Sequence, residues 1–231
     1  MADQKQLARL KDKGVEAWNS WREDNPLVRI DLINADLEGA NLMEADLTHA
    51  NLTSANLKGA NLEDAKLEGA DLRGAKLSAA NLTSADLTFA KLMFADLKGA
   101  TLTRAILVSA DLTRARIMEK VDLTHATLTF ANLMEAYLPN ADLMEADLRS
   151  ANLMEADLTG ADLTGPILKF ANLTGAKLVN ANLELADLEL ANLTGANFED
   201  AEGLTQDQLN LACITPLTLP DDLNSPDYPC P

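Results

Sequence analysis

Between Ile30 and about Asp200 the chain repeats one five-residue phrase, Ala-(Asp/Asn)-Leu-x-x, as in Ala35-Asp36-Leu37-Glu38-Gly39. Counted by the central apolar residue, 18 units run from Leu32 to Ile117 and 16 from Leu123 to Phe198. Leu holds 32 of these 34 centres, and Ala holds 31 of the 34 positions two residues earlier. A 47% hydrophobic content with only 4% aromatics therefore describes a uniform core of two residue types. In an α-helix, five residues advance about 500°, so successive leucines would step about 140° around the axis and build no lasting apolar face. Helix propensity favours Ala and Leu, but the period overrules it.

In an extended chain, residues two apart share a side, so Ala and Leu point inward together while the Asp or Asn between them points out. Five is odd, and a turn in every unit is needed to restore the parity. The two variable positions suit turns, with Gly at 39, 59, 69, 74, 99, 160, 165, 175 and 195 and Ser or Asn at many others. The chain is expected to bend every five residues in one sense, as a closed coil with Ala and Leu inside. One coil buries too little to offset the ordering of its backbone, so coils must stack.

These residues closely resemble the pentapeptide-repeat family over about 170 of the 231 residues. The resemblance implies an all-β solenoid, a right-handed quadrilateral parallel β-helix with four units per coil and about 8–9 coils. At roughly 4.8 Å per coil this is a rod about 40 Å long. The expected domains are an N-terminal helical cap over 1–29, the repeat helix over 30–200 and a C-terminal helix with a Pro-rich capping tail over 201–231. The register slips once, at Met118-Glu119-Lys120, where one extra residue reads as a bulge absorbed outward. Pro166 replaces an inward Ala, and Phe198 replaces the last Leu, where it can plug the core.

An open stack exposes strand edges at both ends, and natural proteins cover them. Leu7, Leu10, Val15, Trp18 and Trp21 fall near helical spacing within residues 4–22, the predicted first cap; the alternative reading is a partner-docking helix. Thr205-Gln206-Asp207-Gln208 has capping-box spacing and predicts a short helix through about Cys213. Cys213 and Cys230 have two readings, a disulfide stapling the tail or two thiols in a reducing compartment.

No apolar run is long enough to span a bilayer, and the N-terminus shows no secretory signal, which points to a cytoplasmic protein, a periplasm or lumen staying compatible. The net charge of −17 disfavours nucleic acid and anionic membranes, and favours either plain solubility or a basic protein partner. The chemistry of enzymes is missing from the sequence. His49 and His125 occupy outward turn positions, with no Cys or Ser nearby, no Gly-rich phosphate loop and no zinc spacing. Neither a catalytic residue, nor a cofactor, nor a metal ligand set is expected. The Asn-Leu-Thr sequons at Asn51, Asn81, Asn172 and Asn192 follow from the repeat itself.

Folding the units onto four sides, with Leu32 on the first and the bulge at the second corner, gives an asymmetry. The third side carries Glu44, Glu63, Asp64, Asp122, Asp142, Glu145, Asp162 and Glu184 against Arg104, a net −7. Asp122, Asp142 and Asp162 are predicted to stack directly, a local cost read either as a cation or basic-partner site or as solvated Asp alternating freely with Asn. Asn41, Asn61 and Asn81 continue that row, and Asn ladders stabilise stacked strands. On the fourth side Phe89, Phe130 and Phe170 fall at one outward turn position on alternate coils, with Leu190 beyond. The row reads either as shielding of backbone bonds or as an interaction surface.

The expected function is a non-enzymatic binding or scaffold rod, a monomer engaging another protein, and the style of the repeat fits cyanobacterial members of the family. The alternative is modulation of DNA gyrase by DNA mimicry, which some family members perform. Duplex DNA would place roughly 24 charges along 40 Å, whereas the repeat region carries a net 11, mostly on one face.

Overall fold

The computed structural model describes residues 2–117, 120–213 and 223. Its repeat region is a stack of coils held by single parallel bridges, and each side of a coil contributes one bridging residue rather than a long strand. Most bridges join residues 20 apart, from Asp31 with Asn51 through Asn182 with Glu202. Twenty residues make four five-residue units, so the coil has four sides.

The hydrogen bonds account for all five N–H groups of a unit. In the unit of Ala50, Asn51, Leu52, Thr53 and Ser54, the Asn51 N–H donates to Ile30 of the coil before, at 2.9 Å. Leu52 and Ser54 donate to Asp71 and Arg73 of the coil after, at 2.8 and 2.9 Å. The Ala50 N–H closes the preceding turn onto Leu47 at 2.9 Å. The Thr53 N–H is left over, and it is taken by the Asn51 side-chain oxygen at 3.1 Å. Asp or Asn recurs at the bridging position because its short side chain reaches the one amide that the coil cannot satisfy. Where Thr follows two residues later, its hydroxyl donates to the same oxygen, as at Asn51, Asn81, Asn172 and Asn192, at 2.6–2.7 Å. The sequons are thus a by-product of this bond.

Each turn runs from Leu to the next Ala and has positive φ at its third residue, the sign pattern of a type II turn. Twenty-four of these left-handed residues are not glycine, so the stacked coils, and not glycine, impose the conformation. The inward Leu and Ala side chains are buried, apart from Ala40, which is half-buried, and Phe198 is fully buried at the last centre. Pro166 occupies its Ala position buried, without an N–H to close the turn, while its carbonyl still accepts from Asp187 at 3.0 Å. Bridges pair Arg116 with Tyr137 and Thr101 with Asp122, both 21 apart, and return to 20 afterwards, which locates the extra residue at the second corner. Met118 and Glu119 themselves lie outside the described residues.

The first cap, α1 (Gln4–Asp24), is broken at Gly14, whose φ of 79° and ψ of 174° leave the helical region. Only glycine takes this conformation freely. The predicted apolar face packs on the first coil, with Leu10 and Trp18 buried and Leu7, Val15 and Trp21 half-buried. Polar groups that the apolar spacing does not reveal complete the cap. Gln6 imitates a strand, accepting from Asp31 N–H at 2.8 Å and donating to Arg29 at 3.0 Å. Asn19 accepts from Asp46 N–H, and Trp18 donates to the Asp46 carbonyl, both at 2.8 Å. Arg22, buried, donates to Val28 and Thr48 at 3.3 Å. At the other end α2 (Gln206–Leu211) starts with the expected capping box between Thr205 and Gln208. It stops short of Cys213, which instead bridges to Asn192 and donates to Ala191 at 2.7 Å. Cys230, and with it the possible disulfide, lies outside the described residues. No helix among the described residues is long and apolar enough to cross a membrane.

Candidate protein-docking faces

The third side stacks Asp122, Asp142 and Asp162 through direct bridges, as the register requires. Each carboxylate turns toward its own turn. Asp122 accepts from Thr124 N–H at 2.9 Å and from the Thr103 hydroxyl at 2.8 Å. Asp162 takes the Thr164 N–H and hydroxyl at 3.1 and 2.6 Å, and Asp142 takes the Met144 N–H at 3.2 Å. Lys120 at the corner comes within 3.9 Å of Asp142. Partial burial pushes the Asp122 carboxyl up, but Thr124, Thr103 and the Lys120 charge outweigh it, and its pKa lies below the ordinary value. The ladder has a local cause in these turn bonds. Among the described residues no group of three or more His, Cys, Asp or Glu is arranged to hold a metal ion. Glu145 is exposed beside His125, at 3.1 Å.

The Asn41, Asn61 and Asn81 row forms a side-chain ladder, with amide donors 3.4 and 3.1 Å from the oxygen of the coil before. A second ladder on the first side, Asn132, Asn152 and Asn172 at 3.0 Å, has the same twenty-residue spacing. These ladders are structural and leave polar, well-ordered faces.

The fourth side differs. Phe89, Phe130 and Phe170 stand in line on alternate coils, 58%, 62% and 57% exposed, each with φ between 57° and 60°. Two exposed residues at the bridging position, Ile106 and Ile167, lie on the same side, and Leu190 extends the row. The isoleucines depart from the Asp/Asn rule, and that departure is the signal by which the sequence shows them. Phe94 and Tyr137 are also exposed, on the first and second sides. The row therefore borders a face whose other corner carries the acidic third-side residues.

Comparison with known proteins agrees with this architecture. A family model described as pentapeptide repeats matches in eight copies, over residues 27–64, 60–93, 80–117, 90–129, 128–165 and 167–202. Among solved structures, the chain is similar to HetL, a pentapeptide repeat protein involved in heterocyst differentiation regulation from the cyanobacterium Nostoc sp. strain PCC 7120. The two are 38% identical over 78% of this chain and 76% of HetL, with a TM-score of 0.60. Full-length QnrB1, a plasmid-mediated fluoroquinolone resistance protein, is 17% identical over 80% of this chain and 92% of its own, with a TM-score of 0.57, a likeness of fold alone. No curated protein matches the chain.

Proposed function

Because the chain belongs to the pentapeptide-repeat family, we propose that it is a non-enzymatic, monomeric rod that binds another protein through its fourth face. In this reading the coil is right-handed, as crossovers between parallel strands are, with about 8–9 coils and a short helical cap at each end. The observation that carries the proposal is the row of Phe89, Phe130 and Phe170. Each is bulky, exposed and held at positive φ, a conformation that costs a bulky residue roughly 1–2 kcal/mol. Neither core burial nor turn preference explains a Phe there, and an exposed apolar row on a rigid face suits a partner. The acidic third face alongside favours a partner with basic groups flanking an apolar strip, and it steers association.

The test is quantitative affinity capture from native lysate with three baits: wild type, a triple Phe89→Asn, Phe130→Asn and Phe170→Asn variant, and a third face reversed at Asp142 and Glu145 to Lys. Asn tolerates the left-handed turn, so the rod should keep its circular dichroism and melting temperature. The expected result is a specific protein lost from the triple variant and weakened by the charge reversal. Identical capture by all three baits removes the proposal. The gyrase reading has no observation in its favour beyond an acidic rod. A supercoiling assay showing inhibition or protection at micromolar protein would put it ahead.

A further inference from the structure

The N-terminal cap covers the first coil unevenly. On the first side Asp31 has both backbone groups paired, its N–H with Gln6 and its carbonyl with Asp3 N–H at 2.8 Å. On the fourth side Asn19 and Trp18 do the same for Asp46. On the second side only the Asp36 carbonyl is met, by Lys11 at 3.1 Å. On the third side, Asn41 has neither its N–H nor its carbonyl paired among the described residues. The core is open at the same place. Ala40 is the one inward Ala of the repeat left only half-buried, and every other described one, from Ala35 to Ala196, is buried.

The break at Gly14 borders this edge, and cover resumes where the Asn19 amide donates to the Glu44 carbonyl at 2.9 Å. A groove of about 790 Å³ remains between Leu10, Val15 and the stretch Ala40–Glu44. Its apolar lining includes Leu10, Val15 and the exposed Met43. Its walls carry Glu16, Glu23, Glu38 and Glu44 against Lys11. An unpaired strand edge with an apolar lining is the template for adding one more strand.

We propose that this notch takes an extended, basic peptide segment by strand addition. The segment pairs with the Asn41 N–H and carbonyl, its small or apolar side chains enter over Ala40 and Met43, and its Lys or Arg flanks meet the glutamates. A second copy of the chain is a poor occupant: the end that would stack here carries Glu199, Asp200, Glu202 and Asp207, all of the same sign as the rim. The site is separate from the fourth face, so either can fail without the other.

The test uses the full chain and an array of hexapeptides with alternate apolar positions, flanked by Lys and Arg or by Asp and Glu. The best basic peptide is then labelled and its affinity measured by fluorescence anisotropy. Expected are capture biased to basic flanks and a Kd raised at least tenfold by the exposed Glu16→Lys, Glu23→Lys pair. A backbone N-methyl group at the pairing residue of the peptide should cost a similar factor, and bound peptide should slow Asn41 amide exchange at least tenfold. The triple Phe→Asn variant of the fourth face should bind the peptide unchanged. Failure to capture any basic hexapeptide overturns the proposal, as does a Kd indifferent to both the charge reversal and N-methylation. Sedimentation showing end-to-end pairing of chains with no peptide capture also overturns it, in favour of a second copy.

Discussion

At the scale of single residues, the coil places demands that side-chain type alone meets or resists. Ala79 holds φ at 56° and is exposed, so its methyl contributes little and sits in a strained conformation. Ala79→Gly is expected to stabilise the rod by up to about 1 kcal/mol, relief of strain exceeding the added entropy of the unfolded chain; a lower denaturation midpoint would refute this. Gly203 is the opposite case. It has φ of 70°, and a Cβ there would lie 2.6 Å from the Glu184 backbone nitrogen and 2.7 Å from its Cα. Backbone cannot step aside as a side chain can, so Gly203→Ala should cost about 2–4 kcal/mol. The loss should appear as faster hydrogen exchange over 183–209, with the middle coils unaffected. Sequence made the period, the inward pair and the turn positions plain. The Asp/Asn rule was visible only as an outward polar residue, because its reason is the fifth amide, left over once three have been paired across coils and one within the turn. The gap at Asn41 was invisible for a related reason. It depends on where a helix of different period fails to match a four-sided edge.

At the scale of elements, α1 works as a makeshift coil, presenting side-chain amides and an indole where the next coil would present backbone. The apolar spacing of Leu10 and Trp18 announced a cap, but the polar half of the match, Gln6, Asn19 and Arg22, follows no period. Gln6→Leu keeps the volume and removes both bonds, leaving the Asp31 N–H and the Arg29 carbonyl unpaired in a part-buried site. The expected cost is about 1–3 kcal/mol, read as a lower denaturation midpoint. Freed edge groups should also promote self-association on size-exclusion chromatography. Gln6→Glu, which can still accept from Asp31 but not donate to Arg29, should fall between the two. Equal midpoints for all three chains would mean that Leu10 and Trp18 hold the cap by packing alone.

At the scale of the whole molecule, a net charge of −17 and a pI near 4.4 make the response to acid a matter of carboxylates. Hydrogen bonds from Arg73, 2.8 and 2.6 Å away, hold the Asp71 carboxyl below its ordinary value, and Arg149 does the same for Asp147. Glu135 is lowered by Arg114 of the coil before, at 2.7 Å. For each, the folded pKa lies below the unfolded one, so its contribution is complete above the unfolded value of about 4. It is lost as pH falls through the folded value. The melting temperature should therefore drop as pH falls below about 4. Replacing Arg73 and Arg149 by Met should lower it near neutrality by a small amount, since these pairs are largely solvent-exposed. Because the stabilisation being removed is the one that acid also removes, the wild-type and variant curves should converge once pH has fallen below the folded values. Curves that stay parallel down to pH 2 would assign the effect to lost packing of the arginine stems.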